Sequence, residues 1–194
     1  MKTRFIILML LALSSSWLAG ESVTPADIQA GKLVPASTSP DKKHCLLEVF
    51  HDGTTQNSVI FSNADRTANL GWASLATVWS TDIPYSKRAV IIWSPDSTSV
   101  ALHDSLNKHS VVAIYRRSDV GFASLETPDL LAEACRRWSV DRADLVSSGQ
   151  RPIQWDGNDK ITVEVSAKGK SGKKLTTTVH LIVPKEGPIK ARTE

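Results

Sequence analysis

Apolar residues after residue 44 come mostly in short runs, and clusters of Asp, Asn, Gly, Ser and Pro separate one run from the next. The runs are rich in Val, Ile, Leu and Trp, which favour the half-buried surface of a pleated strand. This rhythm predicts an all-β fold of short strands joined by tight turns. The predicted strands are 45–50, 58–61, 72–79, 89–93, 99–103, 111–115, 122–125, 161–165 and 175–183.

One segment departs from this pattern and has the spacing of an amphipathic helix. Thr127 fits the N-cap and Pro128 the first helical position. Apolar side chains then recur at helical spacing and form one face: Leu130, Leu131, Ala134, Cys135 and Trp138. We therefore predict one helix near 128–138 that packs against the strands, with room for a second short turn within 139–146.

The first twenty residues have the order of a secretory signal peptide. Lys2 and Arg4 precede an apolar run over 5–13, and small residues follow up to Gly20. The apolar run has about half of the roughly 20 residues that a membrane-spanning helix needs. We therefore predict that 1–20 is a cleaved signal peptide, that the protein is periplasmic or secreted, and that the mature chain has no transmembrane segment. A retained anchor is the alternative.

The rest of the chain has the length of a single domain, since 194 residues less 20 are enough to bury a core without disulfides. Residues 21–36 are predicted to form an N-terminal arm, and residues 37–183 a single β-rich domain. Residues 184–194 contain two prolines and alternating charges, so we predict a disordered tail there.

Three short sequences occur twice in the same order. The copies are offset by 55, 52 and 50 positions, a period that indicates a supersecondary unit stacked on a copy of itself. The pairs are Ser39-Pro40-Asp41 with Ser94-Pro95-Asp96, His51-Asp52 with His103-Asp104, and Gly71-Trp72-Ala73-Ser74-Leu75 with Gly121-Phe122-Ala123-Ser124-Leu125.

The second copy, Ile92–Leu102, resembles the Ser-Pro-Asp blade repeat of TolB-like β-propellers. Residues 39–49 are a second match, and residues 154–165 a third that lacks the proline. The resemblance implies that proline presets the turn, that aspartate bonds nearby backbone amides, and that the units serve as scaffolds and binding surfaces. The family usually has glycine after the aspartate, where this chain has Lys42 and Ser97.

A closed propeller has four to eight blades, and this chain has room for about three. The expected fold is therefore mainly β, with two to three blade-like antiparallel units and one amphipathic helix. The units form either a partial propeller-like array or a β-sandwich. An open array also has room for completion by a second copy of the chain.

The repeated ionisable residues are the first candidates for chemistry. His51, Asp52, His103 and Asp104 could bind a divalent metal or share a proton if they converge. The structural alternative is that each pair ties one strand to the next loop. Adjacent residues on a strand point to opposite faces, which disfavours joint action of one pair on one ligand.

Charge is nearly balanced, with 23 basic and 20 acidic residues, but residues 166–194 hold seven Lys or Arg against two Asp or Glu. Lys168, Lys170, Lys173 and Lys174 fall at a predicted hairpin tip that suits an anionic surface such as lipid headgroups or glycan. A solvated tip is the simpler alternative. No aromatic residues are interleaved to stack on bases, so we expect no nucleic-acid partner.

Cys45 and Cys135 leave two alternatives open. In an oxidising compartment they could form a disulfide that closes a long loop, or both could be buried as separate thiols. Neither alternative changes the predicted fold class.

No complete catalytic motif, metal-ligand spacing or cofactor fingerprint occurs in the chain, so we predict no cofactor and lean against an enzyme. The expected function is a binding or scaffolding module for a protein or envelope partner. One alternative is a hydrolase or metal-binding enzyme that uses His103 and Asp104. A second is a structural subunit of a homo-oligomeric ring.

Overall fold

The computed structural model describes residues 30–50, 57–63, 77–81, 89–104, 110–118 and 121–192. These residues form three antiparallel sheets of four strands each, and within each sheet the strands pair in sequence order. The first sheet contains β1 (Lys32–Leu33), β2 (His44–Phe50), β3 (Asn57–Asn63) and β4 (Thr77–Thr81). The second contains β5 (Ala89–Trp93), β6 (Ser99–Asp104), β7 (Val112–Ser118) and β8 (Gly121–Leu125). The third contains β9 (Leu145–Asp156), β10 (Lys160–Gly169), β11 (Lys174–Ile182) and β12 (Lys190–Arg192).

The predicted mainly β architecture is confirmed, because the described residues form three antiparallel sheets. The helix α1 (Leu130–Trp138) and a short 3-10 turn (Arg142–Asp144) lie between the second and third sheets in the sequence. The described residues do not close into a barrel or a propeller.

The second sheet is packed on both of its faces. Val100 and Leu102 of β6 belong to one buried cluster with Leu46 of the first sheet. Ala101, between them in sequence, belongs to a second cluster with Val163 of the third sheet. Because successive side chains on a strand point to opposite faces, the second sheet lies between the other two.

Helix α1 packs against the third sheet. Its buried residues Leu131, Ala134 and Cys135 pack in one cluster with Val163 and Leu181. The apolar helix face predicted from the sequence is therefore confirmed.

The predicted helix start was wrong by two residues. Asp129 is the N-cap, and its carboxylate accepts a hydrogen bond from the Ala132 N–H at 3.0 Å. An ionised carboxylate is a stronger cap than a hydroxyl and interacts favourably with the helix dipole, so it displaces Thr127 from that position.

The sequence pattern missed most of β9. This strand contains Gly149 and Pro152, which usually mark turns. Pro152 is tolerated because β9 is an edge strand of the third sheet and a backbone irregularity lies beside it. The missing N–H therefore interrupts no hydrogen-bonded ladder.

The prediction of a disordered tail was wrong. Residues 190–192 form β12, which pairs with β11, and the side chain of Ile189 is 7 % exposed within the core of the third sheet. The Arg116 guanidinium also donates hydrogen bonds to the carbonyl oxygens of Val183, Pro184 and Lys185. Apolar anchoring and these bonds hold the segment in place.

The boundary of the predicted N-terminal arm also changes. Residues 32–33 form β1, and the Val34 N–H donates to the Leu46 carbonyl at 3.0 Å. Val34 is buried, so this part of the chain belongs to the domain rather than to an arm outside it. The predicted signal peptide, residues 1–20, lies outside the described residues.

Candidate binding face of the third sheet

The Ser-Pro-Asp turns build the ends of the sheets in the same way. In the second sheet, the Ser94 hydroxyl accepts the Ser99 N–H at 2.9 Å and lies 2.7 Å from the Asp96 carboxylate. Burial works to raise the pKa of Asp96, but the hydrogen bonds from Ser94 and Thr98 outweigh it and lower the pKa. The first sheet has the corresponding bonds at 3.0 and 2.6 Å, made by Ser39, Asp41 and His44.

The residue after each turn aspartate has a left-handed backbone conformation. Lys42 and Ser97 have φ values of 60° and 61°, in the left-handed region where glycine costs least. Ser97 is fully buried, and its hydroxyl accepts the Asp41 N–H at 3.0 Å. A glycine there would relieve the backbone but would lose this bond between the first and second sheets.

Two tryptophans join neighbouring sheets by the same contact. The Trp93 indole N–H donates to the Ser37 carbonyl at 2.8 Å, and the Trp155 indole N–H donates to the Ile92 carbonyl at 2.9 Å. Each acceptor lies two residues before the serine of a Ser-Pro-Asp turn. The second sheet therefore packs on the first as the third packs on the second.

The three sheets are therefore stacked in sequence order, and one face of the third sheet lies at the end of this stack. The inner face, toward the second sheet and α1, carries buried residues such as Ile161, Val163 and Leu181. Alternation along the strands puts their neighbours on the opposite side. We call that side the outer face, and its charged residues are Arg151, Asp156, Lys160, Glu164, Lys168, Lys174, Lys190 and Arg192.

The outer face is polar and predominantly basic. Six of its eight charged residues are Lys or Arg, and none of these six takes part in an ion pair of the described residues. Its uncharged residues are mostly Ser, Thr, Gln and His. A rigid sheet thus presents positive charge and hydroxyl groups on the side that no described sheet covers.

One end of the outer face carries a hydrogen-bonded row. Thr162 Oγ1 lies 3.0 Å from His180 Nδ1 and 3.1 Å from Asp156 Oδ2, and Gln154 donates to Asp156 Oδ1 at 2.8 Å. Since a hydroxyl has one proton and a carboxylate only accepts, Thr162 donates to Asp156 and accepts from His180. A nucleophilic triad needs imidazole between hydroxyl and carboxylate. These hydrogen bonds therefore hold the four side chains in place and do not form a nucleophilic site.

The other end of the outer face contains a hollow of about 420 Å³. Three strand segments line it: residues 147–149, 166–168 and 174–176. Lys168 and Lys174 are directly opposed across β10 and β11, and each is exposed. The hollow thus combines positive charge with hydrogen-bonding groups.

The four predicted lysines are thus divided. Lys168 and Lys174 lie on strands and line the hollow, whereas Lys170 and Lys173 lie in the turn between those strands. Lys170 pairs with Asp144 at 3.8 Å and its N–H donates to the Asp144 carbonyl. The sequence pattern did not separate the two groups, because the strands extend further toward the tip than predicted.

The His-Asp pairs are only partly within the described chain. His103 is 7 % exposed on β6, and its neighbours across the sheet are Val90 and Val112. The side chain of Asp104 lies outside the described part, as do His51 and Asp52. Within the described ranges, no three His, Cys, Asp or Glu side chains are grouped as metal ligands.

The two cysteines are both buried. Cys45 lies on β2 of the first sheet, and Cys135 lies on α1 against the third sheet. Burial raises the pKa of Cys135, which favours its protonated form. The possible disulfide between Cys45 and Cys135 stays a prediction.

A charged cluster at the junction of the first and second sheets was not predicted. His44 is buried beside Trp93 and Phe122, with ring centroids 6.4 and 5.3 Å away. Arg117 lies 3.3 Å from His44 Nε2 and 3.7 Å from the Asp41 carboxylate. Because a guanidinium only donates, His44 Nε2 is the acceptor and the imidazole is neutral.

This geometry predicts a pH-dependent stability. Burial lowers the pKa of His44 below 6.5; Asp41 opposes this shift, and Arg117 and Lys43 add to it. Between the folded pKa and about pH 6.5, the unfolded chain therefore binds more protons than the folded chain. The contribution of His44 to the free energy of unfolding is present above about pH 6.5 and is lost as pH falls through the folded pKa. In urea unfolding, the free energy of unfolding of wild type should fall more between about pH 7.5 and about pH 5.5 than that of His44→Gln. Parallel profiles for the two proteins would contradict this assignment.

Comparison with known proteins adds no family assignment to this geometry. No family model matches the chain, and no curated protein or solved structure matches it. The candidate function therefore rests on the arrangement of residues described above.

One further finding concerns membranes. Among the residues that the structure describes, no helix combines the length and the apolar character that a bilayer crossing requires.

Proposed function

We propose that this protein is an exported binding module whose outer face holds an anionic glycan of the cell envelope or its surroundings. The observation that carries the proposal is the asymmetry of the third sheet. Its inner face is apolar and buried, while its outer face carries six basic and two acidic residues. A strand framework with one buried face holds such groups in fixed positions, which lowers the entropic cost of binding.

The same asymmetry favours a binding module over a ring subunit. A ring that continued the stack would have to cover Glu164, Arg151 and their neighbours with a sheet from another copy. Burying unpaired charges costs far more than burying apolar side chains. A polar outer face is instead typical of the terminal unit of a repeat array, where it maintains solubility.

The proposed export rests on the signal-like order of residues 1–20. The enzyme alternative receives less support from the described residues. His103 is buried. The Thr162 hydroxyl bonds the carboxylate directly, whereas a nucleophilic triad has the imidazole between hydroxyl and carboxylate. The resemblance to Ser-Pro-Asp blades agrees with a scaffold that presents a surface, and we retain it as part of the proposal.

The test is binding of the mature chain, residues 21–194, to immobilised heparin as an anionic glycan and to neutral dextran. We expect heparin alone to retain the protein at low salt. A variant with Arg151→Gln, Lys190→Gln and Arg192→Gln should bind heparin roughly tenfold more weakly or worse, since each lost surface charge removes about 1 kcal/mol of attraction.

The matched control removes three charges elsewhere, with Lys42→Gln, Lys43→Gln and Lys185→Gln. These lysines are exposed and lie off the outer face. An equal loss in this control would mean that the attraction follows net charge rather than the outer face. That result, or binding of wild type to dextran as strong as to heparin, would overturn the proposal.

A further inference from the structure

We infer that the hollow at the hairpin end of the outer face is a binding site for a phosphate monoester carried by a sugar. This inference rests on the proposed glycan-binding function and names the group that one part of the face recognises. The hollow has a volume of about 420 Å³, within the range of sites that hold small ligands.

Two lysines stand opposite each other at the hollow. Lys168 and Lys174 are direct partners across β10 and β11, so two positive charges face each other on one side of the sheet. Like charges in this arrangement are destabilising. No carboxylate of the described residues pairs with either lysine. A bound anion would turn this local repulsion into attraction to both ammonium groups.

Beside those lysines, the hollow is lined by small and hydroxyl-bearing residues. Ser166 is paired with Thr176 on one side and with Gly149 on the other, so hydroxyl groups lie next to a position without a side chain. A Cβ atom at residue 149 would come within 3.2 Å of the Ser110 hydroxyl and 3.5 Å of the Ser166 hydroxyl. Glycine therefore keeps the floor open, and the hydroxyls around it can donate and accept hydrogen bonds.

The charge and the hydroxyl groups of the hollow complement those of a sugar phosphate. A phosphate monoester carries a charge of about −1.5 to −2 at neutral pH, which balances two ammonium groups, whereas a carboxylate or a sulfate monoester carries only one charge. The hydroxyl groups suit the hydroxyls of a sugar. No aromatic side chain lines the hollow, so its affinity does not come from stacking on a ring face. Charge and hydrogen bonding therefore favour a sugar phosphate over a neutral sugar or a nucleobase.

The experiment follows backbone amide shifts of the mature protein by NMR during titration with glucose 6-phosphate, glucose 6-sulfate, glucose and inorganic phosphate, each up to about 10 mM. We expect glucose 6-phosphate to shift the amides of residues 147–149, 166–168 and 174–176. The other three ligands should bind roughly tenfold more weakly or worse, since the sulfate ester has one charge fewer, glucose has no charge, and inorganic phosphate lacks the sugar hydroxyls. Equal affinity for inorganic phosphate, or no shift at these amides, would overturn the inference.

Two variants link the shifts to the hollow. Lys168→Gln with Lys174→Gln should weaken glucose 6-phosphate binding by roughly tenfold or more, without lowering the thermal midpoint, because it relieves like-charge repulsion. Ser166→Leu should block the hollow while leaving both charges. Lys173→Gln with Lys185→Gln is the control, and it should bind as wild type does.

These outcomes are separable from those of the heparin test. If Lys168→Gln with Lys174→Gln still binds heparin and wild type does not bind sugar phosphate, the inferred site in the hollow is wrong and the proposed function stands. If wild type binds sugar phosphate but not heparin, the site in the hollow stands and the proposed glycan-binding function is wrong.

Discussion

Replacing Trp93 with alanine is expected to lower the free energy of unfolding by about 3–5 kcal/mol. Trp93 is 8 % exposed and packs in the cluster that joins the first and second sheets. Its ring meets Phe122 edge to face, with centroids 5.6 Å apart, and its indole N–H donates to the Ser37 carbonyl. The change removes this packing, the ring contact and an inter-sheet hydrogen bond together. Urea unfolding followed by circular dichroism measures the loss.

Trp93→Phe separates packing from hydrogen bonding. It keeps an aromatic ring but leaves the Ser37 carbonyl without the indole donor, so we expect a smaller loss of about 1–3 kcal/mol. Ile153→Ala is the control, because Ile153 is 43 % exposed and its truncation should change stability by no more than about 0.5 kcal/mol. If Trp93→Ala were as stable as this control, the described junction of the first two sheets would be wrong.

Ser94→Ala has the second largest expected effect, a loss of about 1–3 kcal/mol. The Ser94 hydroxyl is fully buried, accepts the Ser99 N–H, and lies within 3.1 Å of the Ser99 carbonyl and 2.7 Å of the Asp96 carboxylate. Alanine has nearly the same shape but leaves the Ser99 N–H without this acceptor. An unsatisfied buried donor costs more than the bond itself contributed, which is why a single oxygen matters here.

The first turn supplies a matched replicate for this prediction. Ser39 is 2 % exposed and has the same hydrogen bonds, so Ser39→Ala should cost a similar amount of stability. Ser124→Ala, at an exposed position of β8, should cost no more than about 0.5 kcal/mol. Urea midpoints of the three variants decide the matter. Unequal losses at Ser39 and Ser94 would show that the two turns are equivalent in sequence but not in energy.

The parts of the fold that the sequence predicted well are those decided by neighbouring residues. Alternation placed Ala89–Trp93 and Ser99–His103 on strands, and both are strands in the structure. The apolar spacing of α1 predicted its buried face, although the cap moved to Asp129. Turn chemistry, alternation and helical spacing act over a few residues, so they can be read without knowing the partners.

The parts that were missed depend on partners far away in the chain. Strand β9 contains residues typical of turns, and it becomes a strand because β10 pairs with it along its length. Ile189 lies in a segment with a loop-like composition. It is ordered because its side chain packs in a buried apolar cluster. Local propensity is a weak preference that tertiary packing overrides.

The candidate site shows the same division. Its lysines were visible as a basic hairpin, but the sequence treated Lys168, Lys170, Lys173 and Lys174 alike. The register of β10 against β11 opposes Lys168 to Lys174 and leaves the other two in the turn. A shift of one residue would move each strand's side chains to the opposite face, so no composition argument could have separated them.

The sequence by itself determined that this protein is mainly β, that its Ser-Pro-Asp turns repeat, and that one amphipathic helix interrupts the strands. These features follow from steric and hydrogen-bonding preferences between near neighbours. Only the tertiary structure decided that the second sheet lies between the other two, that the third sheet ends the described stack with a polar face, and that two lysines meet over a hollow. Those features depend on strand register and on which surfaces bury each other, and both are set by contacts between residues distant in the chain.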